Sequence, residues 1–98
     1  MKYSLLVRQE AEADLQEAYS YYESCGEGLG RDFLQCIETV AHTIQVNPHL
    51  YRAIHKNIMR CMLNKFPYGV YYTIKNETVV IVAVMHVRRD PIRWQKRI

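Results

Sequence analysis

The sequence predicts an α+β fold: an N-terminal strand and an antiparallel helix hairpin packed on a four-stranded, mainly antiparallel sheet, with a short C-terminal helix. Three observations lead there. Two stretches in the first half carry apolar residues at the 3.6-residue period of a helix. The second half holds β-branched and aromatic runs, and tight-turn residues separate those runs. With 98 residues the chain suits one domain, residues 1–98. At that length folding buries roughly 60–70% of the unfolded surface. A hydrophobic content of 49%, with only 4 Gly and 3 Pro, excludes a disordered chain.

The elements follow in order. Tyr3, Leu5 and Val7 alternate with Ser4, Leu6 and Arg8, the pattern of a half-buried first strand. Ala11, Leu15, Ala18, Tyr19 and Tyr22 then mark one face of a helix over about 9–23. Gly26, Gly28 and Gly30 break it. Phe33, Ile37, Val40, Ala41 and Ile44 repeat the helical spacing over about 30–46, until Asn47-Pro48 stops the helix. The short gap makes the two helices an antiparallel hairpin.

Residues 47–57 read as a loop, and 58–63 as a strand with Met59, Cys61 and Leu63 on one face and Ile58, Arg60 and Met62 on the other. Pro67-Tyr68-Gly69 is read as a turn, 70–75 as a strand, Asn76-Glu77 as a tight hairpin turn, and 78–87 as the last strand. Asp90 as N-cap and Pro91 at the first helical position open the final helix. In the last strand, simple alternation puts Val79, Ile81, Ala83 and Met85 on one face and Val80, Val82 and Val84 on the other. Both faces are apolar, so both need a cover. The helices supply one; the tail or a partner protein must supply the other, and a partner is expected.

Charge is unevenly placed. Glu10, Glu12, Asp14, Glu17, Glu23 and Glu27 share residues 10–27 with no Lys or Arg, while Arg88, Arg89, Arg93, Lys96 and Arg97 crowd the C-terminus against Asp90 alone. Such polarity steers a partner to one end of a molecule, although the acidic helix face also suits plain solvation. Cys25, Cys36 and Cys61 are odd in number and widely spaced, so they read as reduced thiols, with Cys36 and Cys61 filling core space. His42, His49 and His55 lack ligand spacing, and no metal or cofactor is expected. The glycines at 26, 28 and 30 follow a helix rather than a strand and lack the lysine of a phosphate loop. No long apolar region follows Met1, and the apolar run 79–85 is too short to cross a membrane, so a cytoplasmic location is expected.

The segment from Arg60 through Phe66-Pro67-Tyr68-Gly69-Val70-Tyr71-Tyr72, with His86-Val87-Arg88-Arg89-Asp90-Pro91 and Trp94 beyond the apolar strand, resembles the ParE/RelE toxin superfamily of type II toxin–antitoxin systems. Ala11-Glu12-Ala13-Asp14-Leu15 and Tyr21-Tyr22 narrow the resemblance to the ParE branch, the plasmid-stabilisation toxins. It implies a RelE/ParE-like fold and a toxin neutralised by a cognate, ParD-like antitoxin, with homo- or hetero-oligomers in prospect. ParE toxins inhibit DNA gyrase, whereas RelE toxins cleave mRNA on the ribosome, so the fold alone cannot choose.

Cleavage by 2′-OH attack needs a base, a cation for the phosphorane charge and an acid for the leaving oxygen. The resemblance places Arg60 and Arg89 where two RelE cations belong, but Gly69 where a third is expected, and Trp94 in a tail that has no tyrosine. His86 is the remaining acid–base candidate. The favoured expectation is therefore a gyrase inhibitor without chemistry of its own, with Arg88, Arg89, Arg93, Trp94, Lys96 and Arg97 as target-binding residues and Leu15, Tyr19, Tyr22, Phe33 and Ile37 as antitoxin-binding residues. A ribosome-dependent endonuclease using Arg60, His86 and Arg89, or an inactive antitoxin-binding domain, are the alternatives. Trp94 suits either a contact surface or a core anchor.

Overall fold

A computed structural model describes residues 2–88 and 93–97. Strand β1 (Ser4–Val7) leads into α1 (Gln9–Cys25), and α2 (Leu29–Val46) packs beside it. A 3-10 turn (Pro48–Leu50) feeds β2 (Ala53–His55), β3 (Ile58–Met62), β4 (Tyr68–Lys75) and β5 (Thr78–His86), and a second 3-10 turn spans Arg93–Arg97. The strands form one sheet in the order β1-β5-β4-β3-β2, with β1 parallel to β5 and every other pair antiparallel.

The sheet has one strand more than the sequence predicts. The added strand, β2, is three residues long and shifts register against β3, so it offers no alternation to read. The predicted turn at Pro67-Tyr68-Gly69 also moves. Tyr68 already opens β4, and Gly69 pairs with Met62 and Met85 inside the sheet. A Cβ at Gly69 would meet Cγ and Cδ of Arg60 at 3.0 Å, so this glycine makes room for the arginine to lie across it. The Asn76-Glu77 hairpin turn is as expected, with φ of 48° and 63°. Asp90 and Pro91, the predicted helix start, lie outside the described residues.

Two local devices shape the helix hairpin. The Glu23 carboxylate accepts the N–H groups of Gly28 at 3.2 Å and Gly30 at 3.0 Å, satisfying donors at the start of α2 that have no partner within the helix. At Gly30 the helices touch: a Cβ there would stand 2.8 Å from the Tyr19 ring and 2.9 Å from its carbonyl oxygen. Beneath the hairpin, Ala11, Ala18, Phe33 and Ile44 pack against Val70, Tyr72, Val79 and Ile81. Tyr22, Phe33, Phe66 and Tyr68 close one end of this core, with ring centroids 4.7 to 5.8 Å apart.

Strand β5 departs from simple alternation at one residue. Tyr72 pairs with Ile81 and Tyr71 with Ala83, so Val82 is the extra residue of a β-bulge. Beyond it the parity inverts. Val84 joins Val79 and Ile81 under the helices, while Ala83 and Met85 join Val80 and Val82 on the opposite face. That opposite face is covered by the chain's own tail, which corrects the expectation of a partner there. Trp94 is 5% exposed, stacks on Tyr71 at 4.8 Å and meets His55 edge-on at 5.7 Å.

Candidate functional site

The acidic and basic blocks of the sequence meet at one point. β1 pairs with β5 only as far as Ile81, so the next backbone groups of β5 on that side lack a strand neighbour. Two side chains replace it. Asp14 Oδ2 accepts the Val84 N–H at 3.0 Å, and Arg97 Nη1 donates to the Val82 carbonyl at 3.1 Å. The two also clasp each other, Nη1 to Oδ2 at 2.7 Å and Nη2 to Oδ1 at 3.1 Å. With side chains 16% and 12% exposed, this bidentate pair is largely shielded from water. Asp14 had a legible signal: it stands between Ala11 and Ala18 at i+3 and i−4, on the core-facing stripe rather than the solvated one. Glu23 had none beyond its place at the end of α1.

This geometry divides the predicted target-binding set. Arg88, Arg93 and Lys96 are exposed. Arg97 serves the internal clasp, and Trp94 is an anchor in the core rather than a presented ring. Arg89 lies outside the described residues.

The alternative catalytic set does not come together. Arg60 pairs with Tyr71 and shares its face, the one covered by the tail. His86 lies on the other face, against the Tyr68 ring at 5.4 Å, and lines a small hollow with Asp14, Glu17 and Ala18 of α1. An unbulged β5 would have put His86 on the Arg60 side; the extra residue at Val82 turns it away. Nδ1 of His86 accepts the Arg88 N–H at 3.1 Å, so in the neutral ring Nε2 carries the proton.

The predicted antitoxin-binding set divides too. Phe33 is 0% exposed and Ile37 8%, because their stripe is the one α2 presents to the sheet. Neither is available on the surface. Tyr22 is half-buried in the aromatic cluster. Leu15 and Tyr19, joined by Leu34, line an outer hollow of ≈ 460 Å³ along the hairpin, rimmed by Glu12 and Gln16. Leu34 is half-buried at the border of the sheet-facing stripe, three residues before Ile37 and seven before Ala41, so its spacing was a signal that could have found it.

Cys61 is buried and Cys36 half-buried against the core, whereas Cys25 is exposed. Burial pushes the Cys61 thiol up from its usual range, and a hydrogen bond with Tyr51 only partly offsets this. The same bond, with burial, raises Tyr51. Burial also raises Tyr72, whose hydroxyl donates to the Pro48 carbonyl at 2.8 Å. Cys61 therefore stays protonated and unreactive near neutrality. Among the described residues no helix is long and apolar enough to cross a membrane, and no three His, Cys, Asp or Glu side chains cluster as a metal would require.

The model of the ParE toxin of the type II toxin–antitoxin system parDE matches residues 5–91. The chain belongs to the ParE toxin family. Toxin ParE2 of Mycobacterium tuberculosis is 30% identical over 88 residues, spanning 89% of this chain and 84% of that protein. Among solved structures, the chromosomal ParDE system of P. aeruginosa superposes with a TM-score of 0.76 at 20% identity, over 87% of this chain and 96% of that one. The RelBE2 toxin–antitoxin complex of M. tuberculosis follows at 0.64 and 18% identity, over 88% and 92%. These two likenesses establish the shared fold. The ParE family assignment itself rests on the match at the level of sequence.

Proposed function

We propose that this ParE-family toxin acts in the cytoplasm by binding and inhibiting DNA gyrase, and that a ParD-like antitoxin silences it. The observation that carries the choice against RNA cleavage is the placement of Arg60 and His86 on opposite faces of the sheet. A 2′-OH attack needs its base and its cation around one phosphate, and a five-stranded sheet separates these two. The exposed Arg88, Arg93 and Lys96 then serve as a recognition surface for the target. An antitoxin segment packs its apolar side chains along Leu15, Tyr19 and Leu34. Support for that partner comes from the two structural neighbours, both described as toxin–antitoxin systems.

The test is induction in a bacterial host without the antitoxin, scoring plasmid supercoiling and message integrity in the same cells. Gyrase-dependent DNA breaks with intact messages are expected. Rapid ribosome-dependent message cleavage would overturn the reading. Normal growth and supercoiling would leave a domain that only binds its antitoxin.

A further inference from the structure

A hollow of ≈ 230 Å³ opens on the tail-side face of the sheet, toward the β4–β5 turn, and none of the residues assigned to the target-binding or antitoxin-binding surfaces contributes to it. Its lining is Arg8, Asn57, Ile58, Thr73, Lys75 and Val82. Two cations and an amide thus share it with two aliphatic side chains, and no acid lines it.

Thr73 is the informative member. It is 5% exposed, and its Oγ1 has no hydrogen-bond partner. Its place on β4, beside Val80 on β5, is one where a valine would pack equally well and leave no donor unsatisfied. The cations are also underused. Among the described residues neither Arg8 nor Lys75 forms an ion pair, and the Arg8 guanidinium makes a single bond, from Nη1 to the Arg97 carbonyl at 3.3 Å. A guanidinium has five donors, so most of Arg8 remains unengaged.

The donors come from three separated parts of the chain: the end of β1, the β2–β3 turn and the end of β4. A planar carboxylate is satisfied by one arginine fork, whereas a tetrahedral oxyanion takes donors from several directions. We propose that this hollow binds a phosphate group, with Arg8 and Lys75 supplying charge, Asn57 closing the rim and the Thr73 hydroxyl donating at the floor. Thr73 lines the hollow, and its buried hydroxyl is the donor there that still lacks a partner. The phosphate is either free or the terminal group of a nucleotide.

The experiment titrates the purified full-length chain with inorganic phosphate and, separately, with a nucleoside monophosphate. Both series run at constant ionic strength, with chloride as control, and are read by calorimetry and by melting temperature. The wild-type chain is expected to bind saturably, and Lys75→Gln to weaken binding about tenfold or more, the scale of one charge-assisted hydrogen bond. Thr73→Val is expected to weaken it by a similar factor while melting no lower than wild type without ligand. A merely structural threonine would not give that combination. Equal affinity for the two ligands identifies free phosphate, and tighter nucleotide binding identifies a nucleotide. Absence of saturable binding in the wild-type chain, or unchanged affinity in both variants, overturns the proposal. Lys75 is exposed and, among the described residues, forms no side-chain hydrogen bond or ion pair, so its variant keeps the test decisive even if Thr73→Val folds poorly.

Discussion

The two faces of the sheet are sealed by different means. On one, two long helices lay down Ala11, Ala18, Phe33, Ile37 and Ile44, and four aromatic rings interlock at one end. On the other, a five-residue 3-10 turn holds the cover by two main pins, Trp94 on Tyr71 and Arg97 on Asp14. The first seal is redundant and apolar, so losing one contact leaves many. The second depends on a few directional contacts, one of which, Arg97 on Asp14, spans 83 residues of sequence. Local opening follows the density of buried contacts, so the tail face should release before the helix face does.

The largest effect is expected from breaking the redundant side. Phe33→Ala removes a wholly buried ring at the centre of the aromatic cluster and should cost about 3–5 kcal/mol. Because that face carries the main core, weakening it should take the tail down with it, so that urea unfolding of this variant is a single transition, followed identically by helix circular dichroism and by emission from Trp94, the only tryptophan. Separate transitions for the two probes in this variant would mean that the faces are independent rather than ranked.

Arg97→Gln tests the other side. It leaves Asp14 without its cation and the Val82 carbonyl without its donor, at a cost of about 1–3 kcal/mol. Trp94 emission should shift to the red, and the Val84 amide should exchange faster, at urea concentrations where the helix signal is unchanged. Coincident loss of both signals would show that the clasp belongs to the global fold and that the tail has no separate release.

A third, smaller effect comes from alkaline pH and belongs to the helix face, where Tyr51, Cys61 and Tyr72 lie. All three are raised in the folded chain, so each favours its protonated form there. Above the unfolded thiol value of 9.0 the unfolded chain gives up its proton first, and above 10.0 the phenols follow. The folded state then binds more protons than the unfolded one, and stability falls as pH rises. That contribution is fully present below pH 9, so the urea midpoint should hold from pH 7 to 8 and decline through pH 10. Cys61→Val should remove the thiol's share of that decline.

The faces also differ in how far the sequence discloses them. The helix face was legible because period is robust: Ala11, Leu15, Ala18 and Phe33, Ile37, Ile44 keep the same side whatever happens at the helix ends. The tail face was not, because strand parity can be reversed by one residue, and Val82 looks no different from its neighbours. That reversal misplaced Ala83, Val84 and Met85, and it carried His86 away from Arg60. β2 was too short to show a pattern, and the parallel pairing of β1 with β5 leaves no local mark. Trp94 and Arg97 could be picked out as unusual but not assigned, since their partners Tyr71 and Asp14 are distant in sequence.

The smallest expected effect bears on both faces at once. Glu77 occupies the left-handed region at φ 63°, where a side chain crowds the backbone by about 1–2 kcal/mol relative to glycine. Glycine loses more entropy on folding, by roughly 0.5–1 kcal/mol, so Glu77→Gly should stabilise the protein by between about 0 and 1.5 kcal/mol. The Glu77 carbonyl accepts the Ser4 N–H at 3.1 Å, and a glycine keeps that carbonyl, so β1 stays in register. The turn joins the two central strands, which serve both cores. Helix and Trp94 transitions should therefore move upward together in urea. A gain seen only in the helix signal would mean that the tail opens without any reference to the sheet beneath it, and that its two pins rather than the strands set its stability.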